Sequence, residues 1–295
     1  MLYRKLLLTA LLLGSLLPLG ASANPVVVTT IKPLQFIAQA ILDGEGTATA
    51  LIGESDSPHH FNLSPNDRIG IERADLLLWI DPSFEIYLAP LFEELSTEQS
   101  KSLITSAEIE GMTLHRFPTG ELDPHLWLSQ ENATLIGAAL TDQLATLYPD
   151  KASHYRAAHD RFRRANDALA RELEAQFSGP HSTNYLVYHD AYRYLEHDLG
   201  LAHSARLVED PDVQPGMREV LAVREVVKAT NPACVLMEPD SSPALVNTVV
   251  QGADVKQIVI DLLGNEIMPS HDAYQQLLKH VASGLTSCLN LEMSD

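Results

Sequence analysis

Residues 26–30, Val-Val-Val-Thr-Thr, form an unbroken β-branched run that stops at Lys32-Pro33, after which Phe36, Ile37, Ala40 and Ile41 recur at helical spacing. That order predicts a buried strand feeding a helix. A second short strand is expected over 48–52, a helix over 67–73, and another buried strand over 74–80, Ala-Asp-Leu-Leu-Leu-Trp-Ile. Buried strands alternating with helices predict a parallel sheet with crossover helices.

The texture changes at Pro149. From 150 to 177 the chain has neither Gly nor Pro, is dense in Ala, Arg, Glu and Leu, and carries Tyr155, Phe162, Ala165 and Leu169 at intervals of seven, three and four. One helix of about 28 residues, roughly 42 Å long, is predicted. Ser178-Gly179-Pro180 closes it. A helix of this length can span two lobes; the alternative is an ordinary surface helix of a single domain. Strands are expected again at 185–188, 234–237 and 257–260, with helices at 216–229, 242–251 and 271–284. The fold class is therefore read as α/β, with an N-terminal lobe at 24–148, a linking helix at 149–178 and a C-terminal lobe at 179–295.

Residues 1–23 are set apart from this pattern. Arg4 and Lys5 precede an apolar run from Leu6 to Leu19, and Ala21-Ser22-Ala23 supplies the small residues of a cleavage site. The segment reads as a secretory signal peptide, and the run is shorter than the roughly 20 residues a membrane anchor needs. No Cys lies near the expected cleavage point, so a freely diffusing periplasmic protein is expected. Cleavage removes two positive charges and no acid, which takes the net charge from −19 to −21. Such an acidic field opposes nucleic acid and anionic membrane and attracts cations.

Export also bears on Cys234 and Cys288, because an oxidising compartment permits a bridge. A disulfide between them would close a 54-residue loop and contribute about 4 kcal/mol by chain entropy. Two separate buried thiols are the alternative. Neither Cys belongs to a C-x-x-C pair, which argues against a redox catalyst or a thiolate zinc site.

Of the twelve histidines, three share a topological position. His59 follows a strand in Ser57-Pro58-His59, His125 sits in Asp123-Pro124-His125-Leu126-Trp127, and His189 directly follows the strand 185–188. Asp261 follows the strand 257–260 in the same way. The C-terminal edge of an open α/β sheet is where ligands bind, so these four are expected to meet in the cleft between the lobes. Three imidazoles with one carboxylate or water make a tetrahedral Zn²⁺ site, whereas Mn²⁺ prefers more oxygen donors. His154, His159 and His280 fall on predicted helices and are expected to be solvated.

Separate segments in order carry a family resemblance. Ser57-Pro58-His59-His60-Phe61-Asn62-Leu63-Ser64-Pro65-Asn66-Asp67, with Ala74-Asp75-Leu76 and Trp79, resembles the first ligand loop of the metal-binding receptors of ABC-type zinc and manganese importers. Residues 123–129 resemble the second ligand segment, and His189-Asp190-Ala191-Tyr192 with Tyr194 and Leu199-Gly200-Leu201 the third. Glu238-Pro239 with Asp261-Leu262-Leu263-Gly264 resembles the fourth, and both cysteines fall where the zinc receptors carry a disulfide. The resemblance, strongest to the zinc receptors of high-affinity uptake systems, implies two lobes joined by a rigid backbone helix with one metal between them.

It also implies His59, not His60, as the first ligand. His60 stands where an acid is usual, as a spare ligand, an access-route residue or an exposed side chain. Leu262 replaces a common Pro and Pro58 an acid, and residues 111–122 carry only His115 where many zinc receptors have a long His-rich loop. The implied function is capture of Zn²⁺ and delivery to a membrane permease by a periplasmic monomer, with a manganese or iron receptor as the alternative. A secreted zinc hydrolase is disfavoured because H-E-x-x-H, H-x-x-E-H and G-x-S-x-G are all missing. An adhesin-like receptor is disfavoured by the expected lack of a lipid anchor.

Overall fold

The computed structural model describes residues 24–53, 57–59, 61–99, 101–179 and 184–291. The expected signal peptide and His60 lie outside the described residues. In the first lobe, β1 (Val26–Thr29) leads to α1 (Lys32–Leu42), β2 (Thr47–Ala50), α2 (Pro65–Arg73), β3 (Leu76–Trp79), α3 (Ala89–Glu98) and β4 (Ser102–Thr105). The four strands are parallel in the order β2-β1-β3-β4, with Val27 opposite Ala48 on one side and Leu76 on the other. After α4 (Gln130–Leu147) and α5 (Ala152–Phe177), the second lobe comprises β5 (Leu186–Val187), α6 (Arg193–Leu199), β6 (Ala205–Arg206), α7 (Met217–Thr230), β7 (Cys234–Met237), α8 (Pro243–Val250), β8 (Lys256–Val259) and α9 (Ala273–Leu289). Its parallel order is β6-β5-β7-β8. Second, first, third, fourth is thus the order in both sheets.

The sequence explains these choices locally. The apolar runs of β3 and β7 are buried at every position, as expected for inner strands covered on both faces. The edge strand β8, Lys-Gln-Ile-Val, is mostly exposed. At the start of α2 the Ser64 hydroxyl accepts from the Asp67 N–H at 3.2 Å, and the Asp67 carboxylate accepts from the Ser64 N–H at 2.8 Å, with Pro65 opening the helix.

The long helix differs slightly from expectation. Pro149–Lys151 makes a 3₁₀ turn, and α5 proper has 26 residues, about 39 Å. Tyr155, Ala158, Phe162, Asn166, Leu169, Leu173 and Phe177 form its buried stripe. Near its midpoint, Asn166 donates to Thr134 Oγ1 on α4 at 3.0 Å and accepts from Gln275 Nε2 on α9 at 2.6 Å. One buried amide therefore touches both lobes. The helix α4 escapes the apolar-period reading partly because Gly137 interrupts it. That glycine is a close-approach point: a Cβ there would stand 3.3 Å from both His159 and Phe162 of α5.

Helix α5 is not the sole connection between the lobes. One apolar core runs from Phe36, Ile37 and Trp127 through Phe162 to Leu236, Tyr274 and Leu285. Trp127 Nε1 donates to Leu262 O at 3.1 Å, and the Tyr274 hydroxyl donates to Trp127 O at 2.7 Å. The Cys234–Cys288 disulfide, with Cα atoms 5.5 Å apart, ties the centre of the second sheet to α9. Among the described residues no helix is long and apolar enough to cross a membrane.

Candidate metal centre

Each lobe presents its site residues on loops at the carboxyl ends of parallel strands. His59 follows β2, His189 stands two residues after β5, and Asp261 two residues after β8. His125 opens the 3₁₀ turn Leu126–Leu128 that leads to the Ser129 cap of α4. Its chain is held by Asp123 N donating to His115 O at 3.0 Å and by the Tyr194 hydroxyl donating to Asp123 O at 2.9 Å. On the same lobe, the segment between β3 and α3 supports His59: the Phe84 ring meets its imidazole edge-on at 5.3 Å, and Tyr87 donates to Pro58 O at 3.1 Å.

The three imidazoles converge. One ring nitrogen from each of His59, His125 and His189 lies within 4.8 Å of the other two, the only such group of three or more His, Cys, Asp or Glu among the described residues. His125 and His189 are buried and His59 is half-buried. Asp261 lines the same cleft, together with Glu238, Asp240 and Asp212. It is not part of the tight group. Its carboxylate is turned into its own loop, accepting from the N–H groups of Leu263, Gly264 and Asn265 at 2.9, 3.0 and 2.5 Å.

Two carboxylates stand behind the rings. Asp123 Oδ1 lies 2.8 Å from His125 Nδ1 and also accepts the His125 N–H at 3.0 Å. Glu238 Oε2 lies 3.2 Å from His189 Nδ1, an ion-pair distance whose alignment falls short of a straight hydrogen bond. Burial is the largest influence on the His189 pKa and lowers it, but Glu238, Asp240 and Asp190 together outweigh burial and hold it above the ordinary value. Burial, reinforced by Glu238, also raises the Tyr192 pKa well above 10, so its phenol stays neutral and donates to Glu238 Oε1 at 3.3 Å. With both Nδ1 atoms facing carboxylates, the Nε2 lone pairs of His125 and His189 are left for an electrophile between them. Neutral imidazole donors at this spacing suit a borderline-soft divalent cation.

Asp123 and Glu238 enter the sequence reading only as members of longer motifs. A signal for Asp123 exists in the Asp-Pro-His spelling, where an acid two residues before His forms the Asx-type turn seen here. Glu238 directly follows the buried inner strand β7, the position that singled out the histidines. Two helical histidines depart from expectation: His154 Nε2 lies 3.1 Å from Leu42 O and His159 Nε2 lies 3.2 Å from Thr134 O, so both join helices and are not simply solvated. His280 is exposed, and its Nε2 accepts from the Asp261 N–H at 3.4 Å.

The chain is 26% identical to the high-affinity zinc uptake system protein ZnuA of Brucella suis, over 90% of this chain and 91% of that protein. It is 30% identical to the protein of the same name from Yersinia pestis, over 96% of each. Among solved structures, the periplasmic zinc binding protein TroA from Treponema pallidum superposes with a TM-score of 0.78 at 19% identity, covering 90% of this chain and 99% of that one, which shows a common fold. The profile of the family described as zinc-uptake complex component A, periplasmic, matches residues 27–288, and the chain belongs to that family.

Proposed function

We propose that this protein captures Zn²⁺ in the periplasm and delivers it to the membrane permease of an ABC-type zinc importer. Members of its family are solute-binding components of zinc uptake and not enzymes, so the chemistry required is coordination and release. The ligands are His59, His125 and His189. Asp261, on the wall of the same cleft, completes the shell by giving up part of its backbone contacts. The lobes 24–148 and 179–295 meet at this site, with 149–178 as the connecting helix. The convergence of three ring nitrogens within 4.8 Å supports the reading. Three nitrogen donors against one carboxylate favour Zn²⁺ over Mn²⁺.

Zinc titration of the mature protein after His59→Ala, His125→Ala or His189→Ala tests it. Each substitution is expected to weaken zinc binding severely. Full zinc affinity in all three would place the site elsewhere, and displacement of Zn²⁺ by equimolar Mn²⁺ would favour a manganese receptor.

A further inference from the structure

We propose that Asp123 and Glu238 are positioning residues for metal capture, holding the Nδ1 faces of His125 and His189 and supplying negative charge behind both rings. The inference rests on the three imidazoles being the ligands. Asp123 is fully buried and Glu238 is 7% exposed. Asp123 Oδ1 serves His125 twice, while Oδ2 is buried without a hydrogen-bond partner. Glu238 is held by Ser241, whose hydroxyl donates to Oε2 at 3.1 Å and accepts the Glu238 N–H at 2.8 Å, and by Tyr192 at Oε1.

Among the described residues, neither carboxylate forms an ion pair with Lys or Arg. The neighbouring buried carboxylate of Asp190 differs, because Arg193 and Arg206 both reach it. Arg193 acts on Asp123 from beyond ion-pair distance, but a buried carboxylate with no Lys or Arg against it is costly to desolvate. An amide in the same place would present an oxygen to Nδ1 without that penalty, so orientation alone does not account for two carboxylates. A divalent cation on the far side of both imidazoles offsets the penalty, and the carboxylates in turn make each ring a stronger donor. The two groups come from different lobes, which distributes the arrangement over both walls of the cleft.

Asp123→Asn and Glu238→Gln separate charge from geometry, since each amide keeps an oxygen facing Nδ1. Zinc affinity, measured by competition with a chromophoric chelator, is expected to fall about 10- to 100-fold in each variant. At high pH, where a protonated His189 no longer gains from Glu238, the metal-free melting temperature is expected to stay level or rise. Co²⁺-loaded variants should retain tetrahedral d–d bands because the ligands are unchanged. Zinc affinity within twofold of the parent overturns the proposal for that residue, as does a lowered metal-free melting temperature with unchanged affinity, the signature of a structural role. The residues lie on separate lobes, so if one variant fails to fold the other still decides. His125→Ala is the control: if it too binds zinc normally, the ligand assignment has failed, whereas loss in His125→Ala with none in Asp123→Asn rejects this inference alone.

Discussion

His125 Nε2 and His189 Nε2 stand 3.3 Å apart although their residues are 64 positions apart and belong to opposite lobes. With both Nδ1 atoms facing carboxylates, a proton or a cation between the two Nε2 atoms relieves the contact of their lone pairs.

Zinc therefore competes with a proton. Because the His189 pKa is raised above 6.5 by its surrounding carboxylates against the opposing effect of burial, competition begins at a higher pH than for an ordinary imidazole. Zinc affinity is expected to fall about tenfold per pH unit once pH drops below the folded His189 value. In the metal-free protein the same shift contributes stability that is full below about 6.5 and lost as pH rises through the folded value. Chelator competition from about pH 8 to 5, with calorimetry in buffers of different ionisation heat, reads both affinity and proton release. Affinity that is flat across this range would contradict the arrangement.

Replacement of Asp261 by Ala is expected to weaken zinc by on the order of tenfold, less than any of the three histidine variants. Three backbone N–H groups lose their acceptor at the same time, so a lower melting temperature should accompany the change. An effect as large as that of His125→Ala would make Asp261 an equal ligand.

Ser57 Oγ donates to Asp212 Oδ2 at 2.5 Å across the mouth of the cleft. An exposed bond of this kind is worth about 0.5–1.5 kcal/mol. Ser57→Ala should therefore speed zinc release by roughly 2- to 10-fold with little change in capture rate. Stopped-flow transfer to a strong chelator measures it, and identical release rates would show that the bond does not restrain the loaded state.

Glu85 is fully buried, and its Oε2 accepts from the N–H groups of Ile80 at 2.8 Å and Asp81 at 3.1 Å. Burial raises its pKa to about 7 despite hydrogen bonds that work to lower it. The folded chain thus keeps a proton that the unfolded chain releases from about pH 4.5 upward. The stability contribution is complete below about pH 4.5 and is lost as pH rises through about 7, a difference of about 3 kcal/mol. Glu85→Gln should remove that slope and leave the variant the more stable protein at about pH 8 in urea unfolding with a chelator present. Parallel pH profiles for the two proteins would refute this.

The inner strands were legible because β1, β3 and β7 are short apolar runs that stay buried on both faces. Strand β6 was not, since two residues, Ala205 and Arg206, hold no periodicity, and their place is set by pairing with β5. Positions along the chain singled out His59, His125, His189 and Asp261 because each lies at the carboxyl end of a strand or in a loop. Side-chain direction could not be read the same way: Asp261 turns its oxygens into three adjacent amides, and Glu238 faces His189 only because β5 and β7 are neighbours in the sheet. His154 and His159 looked solvated because an isolated histidine on a polar helix carries no mark of the carbonyl it will meet on another element.

The bonds from Asn166, Trp127 and Tyr274 that cross between the lobes also govern how freely this architecture can be recombined. A chimera that exchanged one lobe with a relative's at the ends of α5 would cut through a single packed interior, leaving amide, indole and phenol groups without their opposite numbers. Exchange of the loops that follow β2 and β5 would leave those three cross-lobe groups in place, provided Ile52, Phe61, Ala191 and Tyr192, which these loops bury in the same interior, are kept. Metal preference in this scaffold is therefore free to change loop by loop, while the two lobes are bound to change together.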